Sequence, residues 1–187
     1  MSHSPLLNHI LEGKEYGPIL KSPDVALHRT EWRSLFKRLI ICPPKDRTIA
    51  DNFHTQWHVS HHYIRQLIDD DALLMDMLWV WLPRYNGPSV ELYRGENIDR
   101  LENGMVGTAW TSREGMASTF AGGLNAVGKG GVILQTLAPA SSIIAGPSKH
   151  SIYLGEYEFT LDTRKLGEIV RIRDFSPCNL LLDQSQE

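Results

Sequence analysis

Cysteine is scarce in this chain of 187 residues: Cys42 and Cys178 are the only two. Two scattered cysteines rule out a disulfide-stapled scaffold and fit a reducing, cytoplasmic setting. Net charge is also small. Lys plus Arg total 19 and Asp plus Glu 22, giving −3, so the whole molecule offers no electrostatic case for binding nucleic acid. Long apolar runs are missing too. The longest, Ala72 to Leu82, is interrupted by Asp76 and falls short of the roughly 20 residues that span a bilayer. The first residues, MSHSPLLNHILEGKEYG, lack a basic segment followed by an apolar one, so no secretory signal is expected. Internal repeats and low-complexity tracts are missing as well. What is present is ordinary for a folded protein: 42% apolar residues make disorder untenable. The length predicts one domain, able to bury a core without staples.

The character of the chain changes near Gly87-Pro88. Before it, helices are predicted. Ser22-Pro23-Asp24 reads as a helix start, followed by Val25, Leu27, Trp32, Leu35, Phe36 and Leu39 at helical spacing, with Cys42-Pro43-Pro44 as the stop. A second helix is expected over Ile49–Ile68, with Ile49, Phe53, Trp57, Ile64, Leu67 and Ile68 as its stripe. The Asp69–Asp71 run caps a third, Ala72–Leu82, apolar nearly all round and so buried. After Gly87, short strands are expected at Val90–Arg94, Val106–Ser112, Val132–Leu137, Ser142–Ala145, Tyr153–Leu161 and Ile169–Ile172, with one helix over Glu114–Ala121. The last residues, DQSQE, read as a loose tail.

Several motifs fail on inspection. The loop Gly123–Gly130 nearly spells a phosphate-binding P-loop, but Gly130 stands where the Ser or Thr that holds Mg²⁺ is required. Its context is also reversed, helix before and strand after. It reads instead as a flexible loop, suited to a lid, with Lys129 able to meet a phosphate or an acidic group. His54, His58 and His61 share one helical face beside His62. Thr55 defeats the HExxH pattern, and no CxxC completes a tetrahedral site, so the cluster reads as a half-exposed polar face. No GxSxG elbow supports a hydrolytic serine.

The segment Gly155–Leu161 (GEYEFTL) is more informative. Read as a strand, it turns Tyr157, Phe159 and Leu161 toward a core and Glu156 with Glu158 the other way. A lone ExE is most often a solvated strand face. This one follows Leu92-Tyr93-Arg94-Gly95 and Trp110-Thr111-Ser112, so Arg–Gly, Thr–Ser and Glu–x–Glu each fall in order on a strand. Over Val90–Leu161 the chain resembles the arginine–serine–glutamate class of ADP-ribosyltransferases, and in particular small bacterial proteins with the same LYRGE…WTS…EYEF layout.

The resemblance implies an α+β fold. An N-terminal helical part (1–87) would pack on a β-rich catalytic core (88–187), a split β-sandwich of two small sheets with NAD⁺ in the cleft between them. NAD⁺ is then the substrate and no metal is expected. Arg94 would hold a phosphate of NAD⁺ through its planar fork. Gly95 would admit the nicotinamide amide, and Thr111, Ser112 and Phe120 would complete the cofactor site, Ser112 by hydrogen-bonding the catalytic glutamate. Glu158 would be that glutamate. A carboxylate on the ribose 2′-hydroxyl stabilises the positive charge that builds as the nicotinamide–ribose bond breaks. Glu156 would orient or deprotonate the acceptor. Many members carry Ser where this chain has Trp110. The activity implied is transfer of ADP-ribose to a macromolecular acceptor, an arginine side chain or a nucleic acid, as in toxins or effectors that have a neutralising partner. Hydrolysis of NAD⁺ on the same fold, or a silent module that binds a nucleotide or partner, are the alternatives. An RNA- or DNA-directed transferase would need a basic funnel, for which Arg65, Arg84, Arg94, Arg100 and Arg113 are the candidates.

Overall fold

The computed structural model of the chain describes residues 5–20 and 29–178. The expected helix start at Ser22–Asp24, its stripe positions Val25 and Leu27, and the DQSQE tail lie outside the described residues. The secondary structure is α+β, and the chain forms two compact units, 1–84 with 144–153 and 85–143 with 154–187.

The first unit is helical: α1 (Pro5–Leu11), α2 (Gly17–Leu20), α3 (Arg29–Ile41), α4 (Arg47–Ile68), α5 (Asp71–Trp81) and α8 (Lys149–Tyr153). α4 and α5 each start on an aspartate cap; the one at α5 is expected from the Asp69–Asp71 run, and the one at α4 is supplied by Asp46. The Asp46 carboxylate accepts from the Ile49 N–H at 2.9 Å and that of Asp70 from Leu73 at 3.0 Å. Between α4 and α5 the backbone turns sharply at Asp69, whose φ is +48°. Arg65 closes the corner by donating two hydrogen bonds to the Asp71 carboxylate, at 2.8 and 2.6 Å. Trp32, Leu35, Phe36 and Leu39 of α3, Phe53, Trp57 and Ile64 of α4, and Leu74, Met77, Leu78 and Trp81 of α5 share one core. Each such side chain contributes roughly 1.5–3 kcal/mol. Trp81 spends its one donor on the Leu39 carbonyl at 2.9 Å, so this buried indole N–H is not orphaned.

The same core takes in Ile144 and Ala145, fully buried, from far along the chain. The histidine face is a correction. His54 and His58 are buried, each 7% exposed, because α4 is covered on that side by α8, where His58 meets His150 at 5.7 Å between ring centroids. His61 packs on the Trp57 ring at 5.8 Å, and only His62 is exposed.

The second unit is built on a sheet. Its strands are β1 (Val90–Asn97), β2 (Ala109–Thr111), β3 (Gly131–Ala138), β5 (Glu158–Leu161) and β6 (Val170–Phe175), with β4 (Ile143–Ala145) where the chain leaves the unit. The order is β4-β5-β2-β1-β3-β6, one six-stranded sheet, and the pairs β1–β2, β1–β3, β2–β5 and β3–β6 are antiparallel. The resemblance implies two small sheets; the hydrogen-bonded order here is single, with an irregularity between Ile133 and Leu134 where β6 pairs. One sheet face buries Leu92, Trp110, Val132, Leu134, Phe159 and Leu161. The other carries α7 (Glu114–Gly122), whose Ala117 and Ala121 pack on Ile133 beside Tyr93 and Phe175.

Two expectations are revised here. The strand expected over Tyr153–Leu161 is only Glu158–Leu161. Lys149–Tyr153 is helix α8, Gly155 has φ +74°, and Tyr157 has φ +48°, so backbone in the left-handed region interrupts the extended run. The glycine-rich loop after α7 is not a free lid. The Asn97 amide donates to the carbonyls of Asn125, Val127 and Gly130 at 3.1, 2.8 and 3.2 Å, Asn125 donates to the Gly95 carbonyl at 2.8 Å, and Ala126 is fully buried. Lys129 pairs with Glu102 of the short helix α6 (Ile98–Glu102), which Asn97 also caps.

Candidate active site

Register decides which expected residues meet. On β2, Thr111 lies opposite Tyr93 of β1 on one side and opposite Glu158 of β5 on the other. Directly opposed residues share a face, so Glu158, Thr111 and Tyr93 form one row, which Gln135 of β3 extends. This is the face that carries α7. Arg94, one position on from Tyr93, points to the opposite face, in the row of Trp110 and Phe159.

On the α7 face the two acidic residues do come together: a carboxylate oxygen of Glu156 lies within 4.8 Å of one of Glu158. Both are half-buried. The segment is held from β2, where the Thr111 hydroxyl donates to the Glu156 carbonyl at 2.6 Å and accepts from the Arg113 N–H at 3.1 Å. One threonine thus ties the end of β2 to the turn that presents the glutamates. Between them, Tyr157 sits with its ring under the Arg113 guanidinium, 3.7 Å from the ring centroid. Further along the same row the Tyr93 hydroxyl donates to Glu91, which, first, holds the phenol proton and raises its pKa; slight burial adds to this. Glu91 and Gln135 line a shallow cleft of about 270 Å³ together with Thr136, Leu137, Glu168 and Val170.

The remaining expected residues stand elsewhere. Ser112 follows the end of β2 and is exposed, and among the described residues its side chain has no hydrogen-bond partner. The hydroxyl that reaches the glutamate segment is that of Thr111. Gly95 serves α7: a Cβ there would lie 2.4 Å from the Ala117 carbonyl oxygen, 2.6 Å from the Ala121 nitrogen and 2.9 Å from Phe120 Cβ. The missing side chain therefore lets helix and strand touch, and Phe120, half-buried on α7, packs over that point. Trp110 is 1% exposed and donates to the Gly107 carbonyl at 3.0 Å. It belongs to the core row, so the departure from serine at this position falls away from the glutamates.

Arg94 is already committed. It donates to Glu96 at 2.8 Å and to the Ala109 carbonyl at 2.6 Å. Gly107 makes room for it, since a Cβ there would lie 2.1 Å from the guanidinium. Glu96 is 1% exposed and accepts from Arg94, Arg100, the Asn97 N–H and the Gly107 N–H. Burial pushes its carboxyl pKa up, but Arg94's charge and hydrogen bond, with the two backbone donors, outweigh this and hold it below the ordinary value. Sequence reasoning missed this lock although alternation signals it: Arg94 and Glu96 are two apart on one strand. In this unit two of the five candidate arginines therefore converge on one buried carboxylate, which commits both guanidinium groups to an internal ion-pair cluster.

No helix of the described residues is long and apolar enough to cross a membrane. No family model, no curated protein and no solved structure matches the chain.

Proposed function

We propose that the chain is an NAD⁺-dependent ADP-ribosyltransferase, acting on a macromolecular acceptor. The observation that carries the reading is the pair Glu156–Glu158, with carboxylate oxygens within 4.8 Å and the segment tied to Thr111. The adjacency of the three motif-bearing strands, β5-β2-β1, supports it. In this reading Glu158 accepts a hydrogen bond from the 2′-hydroxyl of the nicotinamide ribose. Its negative charge stabilises the ribose cation as the C1′–N bond breaks and nicotinamide leaves with the bonding electrons. The acceptor's nucleophilic atom then bonds C1′, and its proton passes to Glu156. In this reading an arginine guanidinium suits a carboxylate such as Glu156 as the acceptor.

The test is Glu158→Gln beside wild type, with NAD⁺ labelled on the adenylate and a crude cell extract. Wild type is expected to release nicotinamide and transfer label. The variant is expected to lose at least about a hundredfold in rate with its circular dichroism unchanged. Label removed by protease identifies a protein acceptor, and label removed by nuclease a nucleic acid. Nicotinamide release with only free ADP-ribose assigns an NAD⁺ glycohydrolase instead. Unchanged turnover in the variant overturns the reading.

A further inference from the structure

Arg94 and the glutamates lie on opposite faces of the sheet, so an anionic substrate held beside Glu158 needs another cation. We infer that Arg113 is that cation, binding a phosphate or diphosphate group of the ligand; this rests on the transferase reading only for the identity of the ligand.

Four observations carry it. First, Arg113 lies two residues beyond Thr111, and its own N–H is bonded to the Thr111 hydroxyl that fixes Glu156. Its backbone position is thus set by the same atom that sets the glutamates. Second, its guanidinium lies 3.7 Å over the ring of Tyr157, the residue between Glu156 and Glu158. Tyr157 adopts φ +48°, a conformation uncommon for a bulky residue and one that needs support from its surroundings. Third, among the described residues no carboxylate or carbonyl accepts from the Arg113 guanidinium, although the residue it rests on is flanked in sequence by two glutamates. By contrast, Arg94, Arg100, Arg171 and Arg173 are all paired with acids. Stacking fixes the plane of the guanidinium without using its N–H groups, so the fork stays open to a bidentate oxyanion. Fourth, Arg94 has no comparable freedom. Turning it toward a ligand would strand Glu96, which is 1% exposed, as a buried and unbalanced charge.

The ligand class follows from the chemistry. A carboxylate pair suits a cationic or polar sugar centre, and the adjacent open fork suits an oxyanion a few ångströms away. A ribosyl diphosphate presents both in one molecule.

The experiment is titration of the full chain with ADP-ribose by calorimetry, for wild type, Arg113→Gln, Arg113→Lys and Arg94→Lys, each with its melting temperature recorded. Arg113→Gln is expected to raise the Kd about ten- to a hundredfold, as loss of a charge-assisted bidentate contact does, with the melting temperature unmoved. Arg113→Lys is expected to recover part of the loss, since it keeps the charge without the fork. Arg94→Lys is expected to lower the melting temperature yet leave the Kd within about twofold when measured below it. An unchanged Kd in Arg113→Gln overturns the inference, as does a loss of binding confined to Arg94→Lys. Wild type that binds neither ADP-ribose nor inorganic pyrophosphate overturns it too. Wild type that binds ADP-ribose through Arg113 but releases no nicotinamide from NAD⁺ upholds the anion site and overturns the transferase reading alone.

Discussion

Glu96 is the residue whose environment has the plainest consequence. It is buried and accepts hydrogen bonds from two arginines and two backbone N–H groups. Glu96→Gln removes the charge and turns one acceptor oxygen into a donor facing a guanidinium. Breaking one side of a buried ion pair costs roughly 3–5 kcal/mol, so the variant is expected to unfold at markedly lower urea. Its pH signature differs as well. Because the folded carboxyl titrates below its ordinary value of 4.5, the lock contributes fully above that pH and is lost progressively as pH falls below it. Urea midpoints for wild type are expected to drop steeply below about pH 4.5, and those of Glu96→Gln more gently. Parallel curves would mean that Glu96 is not the group responsible.

At the same scale, what was legible in the sequence was residue type rather than direction. The three motifs name the strands that lie side by side, and Glu156 with Glu158 do meet. Whether a side chain on β1 faces the glutamates depends on the pairing of Tyr93 with Thr111 and of Thr111 with Glu158. A shift of one residue would exchange the roles of Tyr93 and Arg94. Register is set by contacts distant along the chain, and no local pattern records it. The resemblance implies Ser112 as the hydroxyl bonded to the glutamate; the strand pairing gives the contact to the glutamate segment to Thr111.

Among the elements, helices were the more legible. Their stripes and caps are local, and α4 and α5 begin two residues and one residue before the expected Ile49 and Ala72. The short helix α6 was overlooked although Asn97 is a plain cap for it. The strand before Leu161 was overlong because a tyrosine rarely takes a positive φ, so nothing in GEYEF announces the turn. The glycines of the loop after α7 predict flexibility, whereas Asn97, thirty-odd positions from its farthest partner, nails the loop down. Asn97→Ala removes both the helix cap and three contacts to loop carbonyls. The amide has two N–H groups to share among these carbonyls; at roughly 0.5–1.5 kcal/mol per hydrogen bond and about 1 kcal/mol for a cap, the expected loss is about 2–4 kcal/mol. Hydrogen exchange at the Lys129 and Gly130 amides, which are bonded to Asp99 and Val127, is expected to quicken at least tenfold. Unaltered protection there would show that the loop is held by other means.

For the whole molecule, the change of character at Gly87 locates the end of the first unit's long segment but conceals its second piece. Ile144 and Ala145 are fully buried in the helical core. A chain cut to residues 1–87 lacks them and α8, leaving the α4 flank with His54 and His58 uncovered. Such a fragment is expected to keep helical far-ultraviolet dichroism, lose its near-ultraviolet signal from the core tryptophans, and bind a hydrophobic dye that the full chain does not. A sharp, cooperative melt of the fragment would show that the helices close without the returning segment.

That return has a bearing on how the protein is made. Synthesis proceeds from the first residue onward, at about 5–20 residues per second. The helical unit's first 84 residues are complete well before Ile144 is added, with the Tyr85–Ile143 stretch still to come. For roughly 3–12 seconds the nascent chain carries a nearly finished apolar core with its last wall missing. A ribosome-associated chaperone has that interval in which to engage it, and slow codons placed between the two pieces would lengthen the exposure without altering a single residue of the product.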